Sequence, residues 1–116
     1  MFVKRSSHVP PTTSSHTPAG VTLRELITDK DGAPNFAMRI FDLNAGASTP
    51  FHAHPWEHEV FVVKGSGAVR PKDGQEIPFR AGDCVYVAPE EMHCFVADRS
   101  GPLQFICVIP SPKTCG

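Results

Sequence analysis

The sequence predicts an all-β domain, an antiparallel barrel or sandwich, and three observations carry the prediction. Short runs rich in Val, Ile and Phe recur from Val21 to Ile109. No window of helical length shows a 3.6-residue apolar period. Gly-rich turns punctuate the runs at close intervals: Asp31-Gly32, Ala45-Gly46, Gly65-Ser66-Gly67, Asp73-Gly74, Ala81-Gly82-Asp83 and Ser100-Gly101-Pro102.

The elements follow in order. Ser6 to Gly20 is rich in Ser, Thr, Pro and His, and Pro10, Pro11 and Pro18 block helix there. Residues 1–20 are expected to form an arm that is extended or disordered, or ordered by packing on a partner. Residues 21–116 are expected to form the barrel. Between the turns, strands are expected at Leu23–Thr28, Asn35–Leu43, Pro50–His54, His58–Lys64, Ala68–Pro71, Glu76–Phe79, Cys84–Ala88, His93–Ala97 and Leu103–Pro110.

Bulk properties narrow the function. A chain of 116 residues suits one domain with a modest core. Its 41% hydrophobic and 20% charged content is that of a soluble globular protein. A net charge of −1 with no basic run argues against nucleic acid as a partner. The longest apolar stretches, Val60–Val63 and Phe105–Ile109, are too short to span a bilayer, so no membrane partner is expected. The N-terminus lacks the apolar segment of a secretory signal, which leads to the expectation of a cytoplasmic protein. Cys84, Cys94, Cys107 and Cys115 have no CxxC or zinc-finger spacing and are expected as free thiols.

Four of the six histidines carry the functional signal: His52, His54 and His58 lie close together, and His93 follows a second strand pair. Alternate strand residues point the same way, so His52 and His54 can share a face. His58, after Pro55-Trp56-Glu57, can fold back towards them. Neutral imidazole is the commonest side-chain metal ligand, and four converging would bind a divalent transition metal.

With these positions on strands, the chain resembles the cupins, the small double-stranded β-helix or jelly-roll barrels. Their first motif runs G, five residues, H-x-H, three or four residues, E, six residues, G. Gly46, His52, His54 and Gly65 fit, and His58 stands where most cupins have Glu. The second motif runs G, five residues, P-x-G, two residues, H, three residues, N. Gly82 and His93 fit, while Ala88, Glu90 and Ala97 replace its Pro, Gly and Asn. The segment from His52 to Val62 and the late Phe105-Ile106-Cys107-Val108-Ile109-Pro110 are similar to the single-domain manganese cupins with four metal-binding histidines. The resemblance implies a cupin jelly roll with His52, His54, His58 and His93 as ligands. It further implies a homodimer whose N-terminal strand packs on the neighbour.

Each residue also has a simpler reading. His8 and His16, in the polar arm, read as solvated. Glu59 falls on the face opposite His58, although a bulge would reverse that. Glu57 or Glu59 is expected either to accept the second ring N–H of a ligand histidine or to lie on the surface. Candidate pocket residues are Arg39, Trp56, Phe95, Phe105, Cys107 and Ile109. Phe105 and Ile109 read first as packing, Cys107 as pocket lining, and Trp56 as a wall of the pocket mouth. Arg39, on an otherwise apolar strand, is expected to face solvent; turned inward, it would hold an anionic substrate. Cys115 reads as exposed and idle.

Four neutral ligands leave a dication uncompensated and favour anionic ligands. They also leave two positions open on an octahedral ion, which suits oxygenases and Lewis-acid isomerases. The resemblance ranks Mn or Fe first, while imidazole chemistry keeps Cu, Ni and Zn open. The leading expectation is a metal-dependent, dioxygenase-like oxidoreductase acting on a small, anionic organic molecule. The alternatives are a non-enzymatic small-molecule or metal-binding module and a metal-assisted sugar or keto-acid isomerase.

Overall fold

Alternation along each strand builds the molecule: in His58–Lys64, His58, Val60 and Val62 are buried while Glu59 and Phe61 face outward. The computed structural model describes residues 1–12 and 17–111. Eight strands follow in order: β1 (Val21–Ile27), β2 (Phe36–Leu43), β3 (His58–Lys64), β4 (Ser66–Pro71), β5 (Ile77–Arg80), β6 (Cys84–Val87), β7 (His93–Ala97) and β8 (Leu103–Pro110). A five-stranded sheet has the order β1-β2-β8-β3-β6 and a three-stranded sheet the order β5-β4-β7. Every pairing is antiparallel. This is the expected all-β jelly roll, with the inward faces of both sheets closing on a core that includes Leu43, Val62, Leu103 and Phe105. Among the described residues no helix is long and apolar enough to cross a membrane.

The expected strand at Pro50–His54 does not form. Two isolated bridges replace it, Ser48↔Val96 and His52↔His93, and they lay the segment along β7. Pro50 has no N–H to donate, so the ladder breaks between Thr49 and His52. The anchors on either side are strong. Thr49 N donates to Phe95 O at 2.9 Å, and His52 and His93 exchange backbone hydrogen bonds of 3.0 Å. The break leaves His52 and His54 on a short connecting segment pinned to the His93 strand.

The described residues 1–12 of the arm make contacts within their own chain. Lys4 Nζ donates to Leu26 O at 2.6 Å and pairs with Asp31 at 2.9 Å. Arg24 Nε donates to Val9 O at 3.1 Å, and Thr12 N donates to Leu23 O at 2.7 Å. These contacts run down β1, the edge of the larger sheet, and cover part of its unpaired backbone. The readings of His16 and Cys115 lie outside the described residues.

Glu90, at the glycine position of the second motif, keeps the left-handed backbone that glycine would supply, with φ 65°. Its N–H donates to His54 O at 2.6 Å, tying the β6–β7 turn to the histidine segment. An L-residue in this conformation costs about 1–2 kcal/mol, and the exposed Glu90 side chain buries little in return. Glu90→Gly is therefore expected to stabilise the fold by about 1 kcal/mol. Thermal unfolding should show this as a midpoint raised by about 4 °C.

Candidate metal centre and its cavity

The fold brings the four histidines into a closed ring of neighbours. His58 opens β3 and His93 opens β7, and each is only 3% exposed. His52 and His54 come from the segment bridged to β7 and are half-buried. Successive ring centroids lie 4.4 Å apart for His52–His54, 5.4 Å for His54–His58, 5.0 Å for His58–His93 and 5.3 Å for His52–His93. Among the described residues no three His, Cys, Asp or Glu side chains already form a closed metal-ligating group. The rings are adjacent without forming such a group.

Burial and neighbouring positive groups favour the neutral imidazole at His52, His54 and His58. Burial, reinforced by the neighbouring histidines and Arg39, holds His58 down at about 3 and His52 at about 4. His54 is lowered for the same leading reason, with Arg39 the larger of its charged neighbours. His93 Nδ1 lies 2.8 Å from Glu91 O. A proton on Nδ1 would satisfy that carbonyl and leave Nε2 as a lone-pair donor. His58 Nδ1 is buried and has no hydrogen-bond partner. The backbone carbonyl of Glu91, rather than the carboxylate of Glu57 or Glu59, lies at the Nδ1 of His93. Those two carboxyls hydrogen-bond to each other instead, which holds Glu59 above its usual range.

These depressed values carry a pH prediction for the metal-free protein. Between pH 6.5 and about 4 the unfolded chain takes up protons on His52 and His58 that the folded chain refuses. The unfolded state is then favoured, so stability falls as pH falls through that window. At pH 5 one such group is expected to cost on the order of 2 kcal/mol. Denaturant midpoints at pH 7 and pH 5 should differ accordingly, and His58→Gln should reduce the difference.

A cavity of about 60 Å³ opens on the ring. Of the candidate pocket residues, Arg39, Phe95, Phe105 and Cys107 line it, together with Phe41, Thr49 and Pro50. Trp56 and Ile109 do not line it. Trp56 stacks on His54 with its ring centroid at 4.5 Å and a 6° tilt, and Ile109 packs against the core. Arg39 faces inward, against the solvent-facing expectation. It shares the inward parity of Ala37, Phe41 and Leu43 on β2, and its Nη2 donates to Cys107 Sγ at 3.3 Å. Phe41 was legible from that same alternation. Thr49 and Pro50 were not, because the bridged segment is not a strand. A larger open groove of about 650 Å³ is lined by residues that include Ser66, Phe79, Arg80 and Asp98, and it holds none of the histidines.

Known proteins are similar to this chain to different degrees. The chain is 29% identical over 114 residues to the oxalate-binding protein of Thermotoga maritima, covering 93% of each chain. The solved structure of the polyketide cyclase RemF from Streptomyces resistomycificus matches with a TM-score of 0.86 at 29% identity, over 95% of this chain and 79% of that one. A cupin 2 domain-containing protein from Halorhodospira halophila matches with a TM-score of 0.74 at 32% identity, over 80% of this chain and 66% of that one. The family model described as "Cupin domain" matches residues 39–109. That span runs from the arginine of β2 to the end of β8 and encloses all four histidines, so the chain belongs to the cupin family.

Proposed function

We propose that this cupin holds one divalent transition-metal ion on His52, His54, His58 and His93 and acts there on a small organic molecule. The closed ring of four adjacent imidazoles carries this reading. The orphaned Nδ1 of His58 and the carbonyl beside His93 Nδ1 fit it. A bound ion supplies Lewis acidity, and Mn or Fe adds redox chemistry with O₂. The chain's own residues shape the rest. Phe41, Phe95 and Phe105 give apolar walls that exclude water, and Thr49 Oγ1 fixes β7 by accepting from Phe95 N at 2.9 Å.

The first reading of the reaction is a dioxygenase-like oxidation with Mn or Fe. Likeness to a polyketide cyclase supports a second, in which the substrate cyclises or isomerises without O₂. Elemental analysis of protein purified without chelator is the first test. About one equivalent of Mn or Fe per chain, with O₂ uptake on substrate addition, is expected for the oxidative reading. Zn or Ni, with product formed anaerobically, favours the second. Protein that neither carries nor takes up a metal overturns both.

We further infer that the protein pairs as a homodimer through the outer face of the five-stranded sheet. Phe36, Met38, Phe61 and Tyr86 are exposed on that face, with Phe61 47% and Tyr86 62% exposed. Along β3 the outward residues run Glu59, Phe61, Lys64, an acid and a base on either side of an aromatic ring. A twofold through Phe61 would set each Glu59 against the other chain's Lys64. Light scattering is expected to give twice the chain mass, and Phe61→Asp the single chain mass. A monomeric unmodified chain would overturn the inference.

A further inference from the structure

Arg39 is a cation without an anion. Its guanidinium lines the histidine cavity, and among the described residues it forms no ion pair. Its Nε is buried and lacks any acceptor. Its contacts there are Cys107 Sγ, 3.3 Å from Nη2, and the face of Phe41, 5.1 Å from Cζ. A thiol is a weak acceptor, and guanidinium offers five donors and never deprotonates in a protein. Arg39 is only half-buried, but its Nε is cut off from water, and a buried donor left without an acceptor is costly. Imidazole carries no negative charge in either protonation state, so the four histidines around it cannot balance it. Thr49 Oγ1 already accepts from Phe95 N.

Position adds to charge. Arg39 and Cys107 are directly opposite on β2 and β8, and Cys107 is fully buried. The thiol therefore holds one edge of the guanidinium at the cavity that the rings also line. A cavity of about 60 Å³ holds roughly four waters, or a ligand head of a few non-hydrogen atoms.

We propose that Arg39 anchors the carboxylate of a small α-oxygenated acid, one whose second oxygen donor points at the histidines, and that Cys107 is the residue that positions Arg39. The planar fork of guanidinium matches carboxylate with two parallel hydrogen bonds. The orientation of the second oxygen rests on the metal reading above; the anchor does not, because Arg39 reaches the cavity from its own position on β2.

The test uses pyruvate and its neutral isostere pyruvamide, measured by calorimetry on metal-free and metal-loaded protein. The unmodified protein is expected to bind pyruvate at least about tenfold more tightly than pyruvamide in both forms. Arg39→Gln should abolish that preference in the metal-free form, reduce it in the loaded form, and leave the metal stoichiometry unchanged. Arg39→Lys, which keeps the charge and loses the fork, should retain part of it. Cys107→Ala should weaken pyruvate several-fold while keeping the preference for the anion. If no metal loads but the preference appears and depends on Arg39, the metal reading fails and the anchor stands. If the unmodified protein does not prefer pyruvate, or Arg39→Gln binds it unchanged, the anchor is overturned.

Discussion

His58→Ala is expected to strip the protein of its metal while leaving the barrel folded. His58 begins β3, is 3% exposed, and neighbours both His54 and His93 across the cavity. Changing a group that merely supports a metal ligand typically costs 10–100-fold in affinity, so losing a ligand should exceed about 100-fold. Metal content after dialysis should fall from about one equivalent to near zero, with an unchanged far-ultraviolet spectrum. His58→Glu should retain the ion, since carboxylate is also a donor, and should lower the reduction potential of Mn or Fe by adding negative charge. His8→Ala, on the exposed arm, should leave metal content unaltered. Full metal content in His58→Ala would remove His58 from the ligand set.

Gly65→Ala is expected to be the most damaging single change to the fold. Gly65 turns the chain between β3 and β4 at φ 83°. A Cβ there would overlap the Pro102 carbonyl oxygen and lie 3.2 Å from Leu103 Cα, so backbone must move at the start of β8. Leu103 is only 1% exposed and belongs to the core, so that shift disturbs packing as well as the turn. The left-handed conformation costs about 1–2 kcal/mol, and the displaced backbone is expected to bring the total to roughly 3–5 kcal/mol. That is a large part of the 5–15 kcal/mol stability typical of a domain. Gly74→Ala separates the two effects. Its φ of 95° is equally unfavourable, but nothing lies within 4 Å of the added Cβ. It should cost only about 1–2 kcal/mol in a urea titration.

Much of this was legible in the residues. The period-two runs and glycine turns located eight of the nine expected strands within a few residues. Trp56 was expected at the pocket mouth on its nearness to His54, but its ring lies flat on His54 and outside the cavity lining. Ile109 shares its strand face with Phe105 and Cys107, yet it sits closer to the end of β8 and meets the core instead. Both errors are of depth along the barrel, which strand parity does not encode.

Local pattern is enough to give strand parity and turns, because each depends on residues adjacent in sequence. It predicts an all-β barrel and puts His58 inward and Glu59 outward. Cross-strand register is a different kind of information. It sets Arg39 opposite Cys107, lays His52 against His93, and breaks the Pro50 segment into bridges. Those pairings join residues 41 to 68 positions apart through backbone hydrogen bonds. They arise only when both sheets close on one core, where the inward parity of β2 outweighs the usual preference of an arginine for water.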